Sequence, residues 1–427
     1  MKIQTRVASL VGVVAIVAAA CGGSTASPSP STAAPAASSA ASSAPAASSA
    51  APAASGASSA AALSGTLTVW ESYSSGGGEL TAFNKAVKAV TDANPGLTIN
   101  VIDQPFSDIF KKWETDVSAN GTSADMFIAP NDNLGAEARQ GVLADLTSAL
   151  QGKLTGFSPV AVAGSQVDGK FYMVPESLKA VALWYDNTKV TTVPTTTDAL
   201  LTAVKGGMKL GLNQNAYHMF GFTGAFGGTL MDQSGKCIAD QGTGFSDAFK
   251  YFEDLKAAGA KYYTDGNALK QDFQTGKLDA VIDGPWQTAD FTTALGSKLA
   301  VATMPAGPQG KANPLTGTDG WYINPNSKNI DLAVQVALAL VGTSSEQIMT
   351  DGAGHVPAAP GVTVSSDIVK GFAAAAADGL ARPQSAQFGN YWGPFGDAVN
   401  AAVEKTADPV ATVANACKLM NTANKIQ

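Results

Sequence analysis

Hydrophobic positions along this chain switch repeatedly between a period of two and a helical period. Thr66 to Trp70 alternates, with Thr66 and Thr68 interleaved with Leu67 and Val69, and predicts a strand. Leu80, Phe83, Val87 and Val90 then share one helical face, which Asn94-Pro95-Gly96 stops. Leu97 to Ile102 predicts the next strand. Phe106, Phe110, Trp113 and Val117 predict a second helix with Trp113 in the core, and Asp125 to Ile128 a third strand running into a polar loop, Pro130 to Asn133. Further on, Ala180 to Tyr185 reads as an apolar strand, Phe245, Phe249 and Phe252 mark a helix closed by Gly259, and Asn329 to Leu340 is an Ala/Val/Leu helix. Strands alternate with helices throughout, which predicts an α/β fold.

One stretch stands out. Ala280 to Ile282 predicts a short buried strand that Gly284-Pro285 breaks, with Trp286 just past the break. That position is the carboxyl end of a strand, where open α/β sheets bind ligands. A tryptophan there serves either the core or a ligand, and the local pattern does not decide between them.

The chain has 427 residues, 14% charged and 45% hydrophobic, with a formal net charge of −7, enough for a two-lobed protein. No basic block occurs, so nucleic acid is excluded as a partner. Lys2 and Arg6 precede the apolar run Val7 to Ala20, which predicts a signal peptide over 1–20. Cys21 follows small residues as in a bacterial lipobox, although Ala18 stands where leucine is usual. Residues 24 to 62 are all Ser, Ala, Thr, Pro or Gly, unable to offset their ordering entropy by burial, so 21–62 is expected to be a tether from lipidated Cys21 on the outer face of the membrane. Cys237 and Cys417 then form an even pair in an oxidising setting; they are either a disulfide or two free buried thiols.

Candidate chemistry is limited. The triple glycine at 76–78 lacks both the Walker pattern and GxGxxG, so no nucleotide and no cofactor is expected. His218 and His355 are the only histidines, no Gly-x-Ser-x-Gly elbow occurs, and neither a metal site nor nucleophilic catalysis is expected; His355, in a tight Gly-His-Val-Pro loop, predicts a structural hydrogen bond. What the loops do hold is aromatic rings beside amides and carboxylates: Trp286, Trp392, Tyr217, Tyr73 and Trp321 with Asp132, Asn131, Asn133, Asn215, Glu176 and Lys179. Sugars present C–H faces and dense hydroxyls, which suit such a mixture.

Four segments carry a family resemblance: Asp125-Met126-Phe127-Ile128 with its Asn-Asp-Asn loop, Val174-Pro175-Glu176 through Trp184-Tyr185-Asp186-Asn187, Ile282-Asp283-Gly284-Pro285-Trp286, and Tyr391-Trp392. From Leu63 to the end the chain resembles the maltose/maltodextrin-binding lipoproteins of carbohydrate ABC importers. The resemblance implies two lobes joined by three crossings, near Ser177–Val181, Pro305–Leu315 and Ser344–Thr350. The N-terminal lobe would then take 63–177 and 305–345, and the C-terminal lobe 182–304 and 350–427. It implies an oligosaccharide in the cleft between lobes, a membrane permease as partner, and a monomer. Trp286 and Trp392 would be aromatic platforms, Tyr217 a further aromatic at the cleft mouth, and Asp132 a carboxylate that binds hydroxyls.

The departures are specific. Ala129 stands where the maltose binder has tryptophan, Asn133 where it has arginine, Lys179 where it has a carboxylate, Ser74-Ser75 where it has an Asp-Lys pair, and Gly393 where it has an aromatic. They leave the particular sugar open. Two other functions compete. A glycoside hydrolase needs two opposed carboxylates, for which Asp132, Glu176 and Asp283 are the available groups. A binder of a charged solute needs charged anchors, and beyond the signal only Arg139 and Arg382 are arginines.

Overall fold

A computed structural model describes residues 62–73 and 77–426. The expected signal peptide, tether and lipidated Cys21, and Ser74-Ser75, lie outside the described residues. The first lobe begins with β1 (Ser64–Glu71), α1 (Gly78–Ala93), β2 (Gly96–Asp103), α2 (Phe106–Ser118), β3 (Met126–Pro130) and α3 (Leu134–Gln140). It continues through α4 (Pro159–Gly164), the hairpin of β4 (Gln166–Val167) and β5 (Lys170–Phe171), and β6 (Val174–Lys179). The second lobe carries β7 (Ala182–Asp186), α5 (Thr197–Lys205), β8 (Leu210–Asn213), α6 (Ala216–Ala225) and α7 (Gly244–Ala258). After these come β9 (Lys261–Tyr263), α8 (Gly266–Gln274), β10 (Ala280–Asp283), α9 (Thr288–Leu295) and β11 (Leu299–Ala302). The chain returns as β12 (Leu315–Ile323), α10 (Ile330–Leu340), α11 (Thr343–Ala353), β13 (Val356–Pro357), α12 (Asp367–Asp378) and β14 (Leu380–Ala381), and ends in the second lobe with α13 (Trp392–Val403) and α14 (Pro409–Ala423).

Each lobe is built on its own sheet. The first has the order β13-β6-β12-β3-β1-β2, with β14 pairing β12; the second has β11-β7-β10-β8-β9. In the first, α1 buries Phe83, Ala86, Val87 and Val90, and these pack with Leu67 and Val69 of β1 and Ile323 of β12. In the second, Leu210, Leu212 and Ile282 meet the phenylalanines of α6 and α7. Burying a side chain of this size stabilises by roughly 1.5–3 kcal/mol, so each row holds its helix to its sheet. Trp113 is fully buried among Trp70, Phe127 and Tyr322.

Two connections lead between the two sheets before the chain's last passage. Ala180 and Val181, both buried, join β6 to β7, and residues 303–314 join β11 to β12. The third is not near Ser344–Thr350. Those residues belong to α11, which packs on α1 of the first lobe, and β13 and β14 still pair with β6 and β12. Helix α12 packs against both sheets, touching β11 on one side and β6 and β13 on the other. The chain finally leaves the first sheet only after Ala381. An amphipathic helix reads the same whichever lobe receives it, so periodicity could not place this passage.

Cys237 and Cys417 form a disulfide that ties the segment after α6 to α14 across 180 positions. Asn421 on α14 accepts from the Cys237 backbone N–H beside it, at 2.8 Å. Among the described residues no single helix is long and apolar enough to cross a membrane. Replacing both cysteines by serine is expected to lower the denaturation free energy of the oxidised protein by roughly 2–5 kcal/mol, the loop-closure range for a long loop. A urea midpoint shared by the variant and the oxidised parent would contradict this.

Candidate functional site

Between the lobes lies a cavity of about 570 Å³. Seven of the residues expected at a ligand line it: Tyr73, Asp132, Lys179, Asn215, Tyr217, Trp286 and Trp392. Their positions follow from local structure. Strand β10 ends at Asp283 and a 3-10 turn over Pro285–Gln287 carries Trp286, as the break at Gly284-Pro285 predicts. Gly284 is needed there because the Trp286 ring folds back over it and leaves no room for a Cβ. Tyr217 is in the first turn of α6, whose N-cap Asn215 accepts from the His218 backbone N–H at 3.0 Å. The Tyr217 and Trp286 rings are 6.1 Å apart, and His218 stands perpendicular to Trp286 at 5.9 Å while its Nε2 lies 3.2 Å from Asp283 Oδ1.

On the first lobe the cavity floor is charged. Lys179, the last residue of β6, donates to Glu79 at 2.8 Å and pairs with Asp319 of β12 at 2.6 Å, with the Tyr73 ring beside it. Behind it, His355 donates from Nε2 to Glu79 and from Nδ1 to Glu176, both at 2.8 Å. Burial would lower the His355 pKa, but the Glu176 carboxylate opposes it and the ring is held up at about 9, so the imidazolium donates to both sides. Burial would raise Glu79, yet Lys179 and His355 hold it down to about 2. Burial lifts Asp319, against the pull of Lys179. The hydrogen bond expected of His355 is therefore two bonds.

Four expected residues are not at the cavity. Asn131 is buried with both side-chain atoms committed, its amide donating to the Gly164 carbonyl at 3.0 Å and its oxygen accepting from the Thr318 N–H at 3.1 Å. Asn133 precedes α3 as its N-cap position. Glu176 lies beneath the floor, held by His355. Trp321 is 2% exposed and packs on Phe83 in the first-lobe core, because β12 is buried on both faces. Asp132 does line the cavity, but as an ion pair rather than a free carboxylate.

Its partner is Arg382, one of the two arginines beyond the signal. Buried directly after β14, Arg382 pairs with Asp132. Its guanidinium carbon lies 5.2 Å from the Tyr217 ring centroid and 5.7 Å from that of Trp392, both in the second lobe. Gly317 makes room for it, since a Cβ there would lie 3.2 Å from the guanidinium. Phe106, Asp319, Glu79 and the paired Lys270 and Asp290 also line the cavity and were not anticipated. For Asp319 there was a signal: a carboxylate inside the otherwise uncharged run Leu315 to Ile323. Among the described residues no group of three or more His, Cys, Asp or Glu side chains is arranged to hold a metal.

Residues 85–377 match the family of bacterial extracellular solute-binding proteins. The chain belongs to that family. This solute-binding protein is 24% identical over 373 residues to the galactooligosaccharide-binding protein of Bacillus subtilis (strain 168), covering 80% of this chain and 86% of the relative. It is 25% identical over 259 residues to a maltooligosaccharide ABC transporter solute-binding lipoprotein of Streptococcus pneumoniae serotype 4, covering 56% of this chain and 60% of that one. Among solved structures, the GacH receptor of Streptomyces glaucescens superposes with a TM-score of 0.79 at 23% identity, covering 85% of this chain and 99% of the receptor. The Thermus thermophilus maltotriose binding protein does so with a TM-score of 0.75 at 24% identity, covering 84% and 100%. These structural likenesses show the two-lobed fold.

The charged floor makes the stability of this solute-binding protein depend on pH. A histidine whose pKa rises from 6.5 to about 9 on folding contributes stability that is full below 6.5 and lost as pH climbs through 9. That contribution is on the order of 3 kcal/mol. Glu71, raised to about 7, and Glu346, raised to about 9, both chiefly by burial, add a slope of the same sign, so the comparison needed is with a variant. His355→Gln is expected to fall less in denaturation free energy between pH 6.5 and 9 than the parent does. Parallel pH profiles for the two proteins would contradict the assignment.

Proposed function

We propose that this protein is the substrate-binding component of a carbohydrate ABC importer and holds an oligosaccharide in the cleft. The observation that carries this reading is the set of rings at Tyr217, Trp286 and Trp392, which share one cavity with hydrogen-bonding groups from both lobes. Aromatic faces take the C–H patches of a pyranose, and the flanking amide, carboxylate and guanidinium groups take its hydroxyls. Relatives named for maltooligosaccharide and galactooligosaccharide binding support the same class.

Charge pairing favours a neutral solute. Lys179 faces Glu79 and Asp319, Arg382 faces Asp132, and Lys270 faces Asp290, so among the described residues no lysine or arginine of the cavity is left unpaired to anchor an anionic ligand. The same pairing disfavours a hydrolase, which needs one carboxyl kept free to give up a proton. Sugar bound to one lobe would recruit the other and shift the population toward the closed form, which makes more contacts. In this reading the closed form docks on a membrane permease, and lipidated Cys21 with the residues 24–62 tether keeps the protein at the outer membrane face.

Titration calorimetry with maltose, maltotriose, maltotetraose and galactooligosaccharides, beside amino acids and phosphate, tests the reading. Binding of at least one oligosaccharide is expected, with a rise in melting temperature. Binding of a charged solute alone would overturn it. Trp286→Ala is expected to cost about 1–3 kcal/mol of sugar affinity and leave the melting temperature of the free protein unchanged, in line with aromatic contacts at binding sites. Unchanged affinity would return Trp286 to a packing role.

A further inference from the structure

Phe106 is 51% exposed, and it lines the cavity. The helical period of α2 puts it on the stripe with Phe110, Trp113 and Val117, and folding leaves it half out of that stripe. A large apolar ring left in water forgoes burial energy, so packing gives no reason for its position. The ring nevertheless has packing partners behind it. The ring stands edge-on to Phe110 at 6.0 Å, and Phe110 in turn edge-on to buried Phe127 at 6.0 Å. Ala129, at the end of β3, offers no ring of its own to the same cavity.

Position within the sheet gives Phe106 a particular place. Lys179 ends β6, and Phe106 follows β2, the edge strand on the other side. The order β6-β12-β3-β1-β2 sets β6 and β2 four strand spacings apart, about 19 Å at about 4.8 Å each. A cavity lined from the end of β6 to the residues beyond the β2 edge suits an extended chain better than a compact solute. We propose that Phe106 is the stacking platform of an outer subsite at the β2 edge of the cleft, occupied by sugar units beyond those held at Tyr217, Trp286 and Trp392. The inference rests on the carbohydrate reading and deepens it: the substrate class is a linear oligosaccharide longer than a disaccharide.

Chain length supplies the test. Calorimetry with the di-, tri- and tetrasaccharides of the malto and galacto series is run on the parent, Phe106→Ala and Phe106→Tyr, each checked for an unaltered melting temperature. In the series that the parent binds, Phe106→Ala is expected to weaken the tetrasaccharide about two- to tenfold, the range for one aromatic contact. The disaccharide should change by less than its experimental error, and Phe106→Tyr should retain tetrasaccharide affinity. An equal loss at every length, or no loss at any length while Trp286→Ala still weakens binding, overturns the outer subsite and leaves the carbohydrate reading standing. Absence of binding by the parent to every sugar in both series overturns the two together.

Discussion

Lys179 Nζ lies 2.8 Å from Glu79 and 2.6 Å from Asp319, in a side chain with only 10% of its surface exposed. A buried ammonium left without partners would cost several kcal/mol, so these contacts must persist in the folded state. They draw together the start of α1, the end of β6 and the middle of β12. His355 extends the constraint to Glu176 and to the turn between α11 and β13. The first crossing, Ala180 and Val181, begins one residue past Lys179. The interactions that satisfy the buried charges therefore also fix the point from which the second lobe departs.

The same logic applies to Arg382. In a chain that is only 14% charged, the scarcity of arginine argues from sequence for a neutral ligand. That conclusion survives, but for a different reason: Arg382 is in the cleft, and its charge is met there by Asp132. Its planar cation also lies over Tyr217 and Trp392, so it joins a first-lobe carboxylate to second-lobe rings. Neutrality of the cleft comes from pairing between residues far apart in sequence. No count of residue types could have shown it.

What the sequence made legible was local. Trp286 could be placed because a strand, its Gly-Pro break and a ring follow one another within a few residues. Tyr217 and Asn215 could be placed because a capped helix start follows a strand. The misplacements fall where direction depends on distant partners. In β12 every residue is buried, so Trp321 enters the first-lobe core while its neighbour Tyr322 stacks on Phe127 at 4.4 Å, and alternation cannot tell a core face from a cleft face. Asn131 sits in a polar loop, but Thr318 and Gly164 claim its amide from elsewhere in the chain. Lys179 departs from the carboxylate that the resemblance implies at this position, and its charge is met by Asp319 from β12, which local pattern could not reveal.

Lobe contact and the charged floor meet at one helix. Gly78, first residue of α1, is so close to Ala289 of α9 that no Cβ fits between them, and Gly354 stands likewise against Thr288. Only glycine at these two positions lets the first lobe approach α9 of the second. Glu79, next along α1, is the residue shared by Lys179 and His355. Glu79 lies beside this contact of α1 with α9 with its side chain only 13% exposed, and attraction between its carboxylate and both cations is stronger in such a low-dielectric setting. The charged floor and the close glycine contacts are two sides of one arrangement, in which ion pairs hold the start of the helix that α9 packs against.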